Sequence, residues 1–434
     1  MNLYSSSVGI APEPRNGGWI SAPLPLRSDT SNAPAADVSE LRPRVIGRAV
    51  RALPPPVVPR AFTCRCGRPV FFRNSECLAC HTPLGYDARQ HVLLPLELAG
   101  ASFPLGSAPP VATSEGRFWQ ACSAATGAAP YLRCSNLNSA AACNWLIDGD
   151  DAFAGVPALC RCCRLTRTLP DLTRDRAAAW WALIELAKRR LVSALIALNL
   201  PVASKTREDP QRGLVFDLLR AQPGGPPVVT GHEDGVITLD VEEADDAWRE
   251  QRRHALGEPY RTLLGHLRHE SGHYYWQRLV ENGPLMAEWR ELFGDERQDY
   301  AAALIRHYAE GPPADWGQRF VSAYASSHPW EDWAETWAHY LHLRDTLDTA
   351  SSFGLDGERV ELHYDRYGVE ALSVAGGEEF VQLVNSWMEL TGVLNELSRS
   401  MGLGDFYPFV LSKQALRKLH LVHRVISSCR TTCS

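Results

Sequence analysis

The 434-residue chain contains no run of eighteen uncharged apolar residues, and its first residues carry no basic-then-apolar signal. The first absence leaves no candidate for a membrane-spanning helix, and the second makes the cytoplasm the expected location. Strong charge of one sign is missing too: the net charge is -6. That argues against a surface that binds nucleic acid or membrane as a whole. Cysteine is nearly absent after position 163, where only Cys429 and Cys433 occur; these two are assigned no role. What remains is an ordinary globular composition, 45% hydrophobic and 22% charged, in a chain long enough for two or three packed domains.

Ten of the twelve cysteines fall between positions 64 and 163. With no secretion signal, such density reads as metal ligation rather than disulfides. Cys64 and Cys66 form a C-x-C knuckle, Cys77 and Cys80 a C-x-x-C knuckle, and a short Pro-Val-Phe-Phe strand separates them, as in a zinc ribbon. A second set is Cys134, Cys143, Cys160 and Cys163, in which Cys162 competes with Cys160 or Cys163; Cys122 and Cys162 are spare. Four thiolates close the coordination of a zinc, so both sites are expected to be structural. Residues 1–60 precede them, rich in Pro, Ser, Ala and Arg, and are expected to be a disordered leader. Its second half is basic through Arg42, Arg44, Arg48, Arg51 and Arg60, and is read as a solvated tail rather than an arm for an acidic partner.

The residues that carry chemistry are His269-Glu270-Ser271-Gly272-His273, an H-E-x-x-H pentad. On a helix the two histidines stand one turn apart on one face, so both imidazoles reach one metal while Glu270 faces the water that the metal polarises. Such a pentad arises by chance in roughly one chain in a hundred of this length, so context decides. Gly257 and Pro259 break the chain just upstream, with Pro259 at a plausible first helical position. Tyr260, Leu263, Leu264, Leu267 and Tyr274 then give an apolar face through about Val280. His266, three residues before His269, is read as a surface or supporting residue.

A catalytic zinc keeps three protein ligands and one open position, so a third donor must come from elsewhere. Pro329 starts a second helical stretch in which Glu331, Glu335 and His339 recur at four-residue spacing on one stripe. Glu331 is the expected ligand, with Glu335 accepting the outer N–H of a ligating histidine; Glu335 and His339 remain alternatives. Three interleaved tryptophans indicate a buried helix rather than a solvated acidic face, and buried carboxylates need partners.

The expected fold class is α+β. Zinc-ribbon modules occupy 61–172, a mainly helical metal-binding domain with a small sheet occupies 173–427, and 428–434 form a tail. A long helix is expected over Arg176–Asn199, strands over Gly213–Leu219 and within Val228–Val241, and helices over Glu378–Met401 and Ser412–Ile426. The run Val236–Val241 is the candidate edge strand for an extended substrate.

The stretch from Phe62 to about Ile426 resembles bacterial zinc-binding metallopeptidases that join an N-terminal zinc ribbon to a zincin-like domain. The resemblance rests on Phe62-Thr63-Cys64-Arg65-Cys66-Gly67, Cys143-Asn144-Trp145-Leu146, Cys163 through Pro170, the HESGH pentad, His328 through Thr336, and Asp405-Phe406-Tyr407-Pro408-Phe409. Glu331-x-x-Ala334-Glu335 also resembles the gluzincin peptidase domain of anthrax lethal factor. There the first Glu of such a segment binds zinc and a Tyr seven residues earlier assists catalysis. Carried over, the resemblance implies Glu331 as ligand and Tyr324 as a hydrogen-bond donor, with Tyr340 and His328 as competing donors. It implies hydrolysis of a peptide or protein substrate by Glu270-activated water, with one catalytic and about two structural zinc ions. Asp405, Phe406 and Tyr407 close one side of the cleft or cap a helix. A protein or nucleic-acid partner of the ribbons, and no membrane partner, complete the expectation. The competing function class is an inactive, zinc-stabilised interaction module.

Overall fold

The computed structural model describes residues 57–99, 117–123, 129–148, 151, 157–256, 258–355, 360, 365–372 and 377–431. The leader up to residue 56 and Cys433 lie outside them. The first ribbon is a hairpin of β1 (Phe62–Thr63) and β2 (Pro69–Val70), with Phe62 opposite Val70. Then β3 (Leu84–Asp87), β4 (Val92–Leu98), β5 (Trp119–Ala121), β6 (Tyr131–Arg133) and β7 (Leu146–Asp148) run antiparallel in chain order as one sheet.

A second sheet follows. Its strands are β8 (Thr166–Thr168), β9 (Val215–Leu219), β10 (Gly231–Glu233) and β11 (Val236–Asp240), in the order β10-β11-β9-β8. The crossover from β8 to the parallel β9 contains α1 (Ala177–Ala197), which begins and ends within two residues of the Arg176–Asn199 expectation. The Val236 run is not the edge. It lies between β9 and β10, because Asp234 and Gly235 adopt positive φ values of 43° and 76° and turn a two-residue hairpin. The more apolar strand is thereby buried on both sides, and the short, polar Gly231–Glu233 takes the exposed position.

The remainder is helical: α2 (Asp246–Leu256), α3 (Leu263–Leu279), α4 (Met286–Phe293), α5 (Tyr300–Glu310), α6 (Trp316–Arg319), α7 (Pro329–Ser352), α8 (Glu378–Ser400) and α9 (Lys413–Thr431). None of the described helices is long and apolar enough to cross a membrane. The start of α3 is set not by Pro259 but by Thr262, whose hydroxyl accepts the Gly265 N–H at 3.0 Å. For α7 the sequence reading holds at Pro329, and the preceding His328 caps the helix by accepting the Trp330 N–H at 3.1 Å.

α3 and α7 lie against each other closely enough that a Cβ on Gly272 would sit 2.9 Å from Ala334 Cα. The contact is locked by indole N–H groups: Trp333 donates to the Gly272 carbonyl at 2.9 Å and Trp337 to Ser271 Oγ at 3.1 Å. Trp337 stacks on Tyr275, with centroids 5.0 Å apart. Each such fully buried indole removes roughly 200 Å² from water, on the order of 5 kcal/mol. The small residues within HESGH thus answer to packing, while the larger ones face the site.

Candidate metal centre

His269, Glu270 and His273 all project from α3, and Glu331 from the first turn of α7. One ligand atom from each of His269, His273 and Glu331 lies within 4.8 Å of the others. His269 Nε2 is 3.0 Å from Glu331 Oε2, and His273 Nε2 is 3.5 Å from Glu331 Oε1. Glu335, one turn further along α7, accepts the His269 Nδ1–H at 2.7 Å, and Ser322 Oγ donates to its other oxygen at 2.7 Å. A carboxylate can only accept that proton, so in the neutral ring Nε2 carries a lone pair.

The donor set fits a divalent cation. Glu331 is 1% exposed, yet its Oε2 makes no hydrogen bond although His269 lies so near. A carboxylate oxygen and a ring nitrogen that converge without a hydrogen bond between them are what a cation would satisfy. The field points the same way. Burial alone would raise the Glu331 pKa, but His273 and His269 hold it well below the usual carboxylate range. For Glu335 burial is again outweighed, by the bond from His269, and its pKa falls to about 2. Burial would lower the pKa of His269, but Glu331 and Glu335 raise it well above its usual value. A pocket that favours positive charge so strongly suits a metal ion. Glu270 is 7% exposed, and its Oε2 is also buried without a partner.

His339, the third member of the stripe, bonds the Tyr407 hydroxyl at 2.5 Å and is not in the donor set. Tyr324 stands beside the centre, its ring centroid 6.0 Å from that of His269. Burial pushes its hydroxyl pKa well above the usual value, so it is a neutral O–H donor. The competing donors are engaged elsewhere, His328 in the α7 cap and Tyr340 with His423 Nδ1 at 2.9 Å. His266 pairs with Glu243, and Asp405 with Arg399 at 2.6 Å, leaving Phe406 half exposed. Sequence reasoning missed Tyr300, at the start of α5, whose hydroxyl donates to Glu331 Oε1 at 2.8 Å. It also missed His232 of β10, whose ring lies 6.5 Å from that of His273 and nearly parallel to it. Neither residue belongs to a motif; the only local signal was Asp299 as a helix cap just before Tyr300.

The cysteines form two further donor clusters. Cys64, Cys66, Cys77 and Cys80 gather at the first ribbon, with Cys64 and Cys80 sulfurs 3.6 Å apart. Cys134, Cys143, Cys160 and Cys163 gather at the second, all buried, with Cys143 and Cys160 3.6 Å apart. Cys162 is buried outside that cluster, and Cys122 lies 3.8 Å from Arg65 Nη1. Lys188 and Arg189 of α1 are buried near the second cluster. Lys188 bonds Glu185 at 2.7 Å, and Cys163 Sγ is 4.0 Å from the other Glu185 oxygen. Arg60, counted with the leader above, is 3% exposed and bonds Asp345 of α7 at 2.9 Å and Ser193 of α1 at 3.0 Å.

A histidine pair and a glutamate on packed helices, preceded by cysteine clusters on short strands, define a zinc-binding protein of the metallopeptidase class. Residues 177–425 match the family described as "Putative zinc-binding metallo-peptidase", and residues 61–174 match a zinc-ribbon domain. The chain belongs to that metallopeptidase family and carries the zinc ribbon at its N-terminal side. It is 40% identical over 369 residues to uncharacterized proteins of Mycobacterium bovis and Mycobacterium tuberculosis, covering 85% of this chain and 95% of theirs. No solved structure matches it.

Proposed function

We propose that the protein is a zinc-dependent peptidase that hydrolyses peptide bonds. His269, His273 and Glu331 would hold the zinc, which supplies Lewis acidity, acidifying water at its open position and polarising a carbonyl. Glu270 takes the proton of the attacking water and passes it to the leaving amine. Glu335, steadied by Ser322, fixes the tautomer and orientation of His269. Tyr324 donates to the carbonyl oxygen as it gains charge, a contribution of about 2.7–4 kcal/mol for one such donor. The open edge of β10, packed over α3, suits an extended peptide in β-pairing. The two four-cysteine clusters would each hold a structural zinc. Thiolate sites of this kind are kept intact in a reducing compartment, which supports a cytoplasmic location. The exposed Phe71 and Leu78 of the first ribbon would meet any protein or nucleic-acid partner of the ribbon.

The observation that carries this reading is the buried, unpaired Glu270 oxygen beside a three-donor set that is one short of a closed coordination shell. The test is cleavage of a peptide library by the purified protein and by Glu270→Gln. The variant is expected to keep all its zinc and lose roughly 10²–10⁴-fold in turnover. Equal behaviour of the two proteins would instead support the non-catalytic module.

A further inference from the structure

The mechanism above uses one hydrogen-bond donor, Tyr324, on the His269 side of the donor set. On the His273 side stands His232. Its ring is nearly parallel to that of His273, at 12°, and meets Tyr274 edge-on with centroids 6.1 Å apart. The side chain of this edge-strand residue is therefore directed at α3 and the metal donors.

Its proton inventory follows from one contact. The Gly235 backbone N–H donates to His232 Nε2 at 3.0 Å. A backbone N–H can only donate, so Nε2 must offer a lone pair and the ring proton must reside on Nδ1. Nδ1–H has no hydrogen-bond partner among the described residues. The same residue also controls the strand edge. The two-residue turn closes on the Glu233–Val236 pair, and alternation along an antiparallel ladder then turns the N–H and C=O of His232 away from β11. His232 thus offers its backbone groups to the open edge and carries an N–H donor on a ring that lies beside His273.

We propose that His232 is a second catalytic donor, presenting Nδ1–H to the carbonyl oxygen of a peptide whose backbone pairs with β10 at this residue. The proposal rests on the peptidase reading and adds a residue and a substrate register to it. No bond is made or broken at His232; the donor strengthens as the carbonyl oxygen gains charge.

The test uses the full chain with its zinc loaded, as wild type, His232→Ala and His232→Phe; phenylalanine keeps a ring against Tyr274 and removes both nitrogens. Against a cleaved peptide, both variants are expected to lose on the order of 10²-fold or more in kcat/KM, with zinc content and Tm unchanged. In a Glu270→Gln background, a phosphinic peptide, which mimics the tetrahedral geometry, is expected to lose far more affinity than the plain peptide of the same sequence. Nitrogen NMR of the ring is expected to show Nε2 without a proton. Equal weakening of the two ligands, kcat/KM within threefold of wild type, or a proton on Nε2 overturns the proposal. So does an activity loss that is matched by zinc loss in both variants. If the wild type cleaves no peptide and binds no phosphinic peptide, the peptidase reading itself fails and takes this proposal with it.

Discussion

The second cysteine cluster is wholly buried and the His/Glu cluster is buried apart from a half-buried His273, and on the proposed reading they serve opposite ends. The first gathers four sulfurs, with the buried Lys188 and Arg189 of α1 close by. The second has three donors, the Glu335 carboxylate in support, and a buried Glu270 oxygen without a hydrogen-bond partner. Saturated coordination returns its energy to folding, and an open coordination position is kept for chemistry at some cost in stability. The first ribbon differs again, since Cys66 is exposed and Cys80 half-buried.

The contrast breaks most sharply under ligand deletion. Cys143→Ser should release one zinc and unfold the ribbon–α1 contact, because on the order of 10 kcal/mol of structural zinc binding is coupled to folding. Glu331→Ala should release a different zinc and leave the fold in place. Metal analysis with urea melts of both variants checks this; similar melts would erase the distinction.

A second test concerns the ties between the two regions. Asp345 bonds Arg60, Arg190 and Arg268, the last one residue from His269. Burial would raise its pKa, but the three guanidinium groups hold it well below the usual carboxylate range. A carboxylate depressed on folding contributes stability that is complete above the unfolded value and disappears as pH falls through the folded one. The urea midpoint should therefore start to decline at about pH 5 and go on falling below about pH 3. Asp345→Asn should cost about 3–5 kcal/mol at neutral pH and flatten that decline; a variant with the wild-type slope would count against it.

The smallest expected effect is at the open site. Tyr300→Phe removes the donor to Glu331 Oε1, and zinc affinity there should fall roughly 10–100-fold. Competition with a chelator, resolved by site, checks this; loss from the cysteine sites instead would contradict it.

Much of this was legible in the sequence because the signals were local. The pentad, the Pro329 helix start and the cysteine spacings each act over a few residues. What escaped were contacts made across the fold. Tyr300 reaches Glu331 from 31 residues upstream, and no periodicity marks such a pair. The edge strand was misread for a related reason. Hydrophobicity identifies which strand is buried, and Val236–Asp240 is the buried one; the exposed position fell to a three-residue strand with little apolar character. Thr262 prevailed over Pro259 because a hydroxyl that satisfies a helix N–H outweighs a ring that merely presets φ.

β8 lies within the segment matched to the zinc ribbon, yet it hydrogen-bonds to β9 of the metallopeptidase segment. Just ahead of that ribbon, the Val57 and Val58 N–H groups are held by the Asp348 carboxylate of α7. The N-terminal region is thus stitched in at both its margins. A fragment cut between the two matched segments would expose an unpaired β9 edge and leave Asp348 with Arg344 but without its two backbone donors, so the halves should survive proteolysis together or not at all.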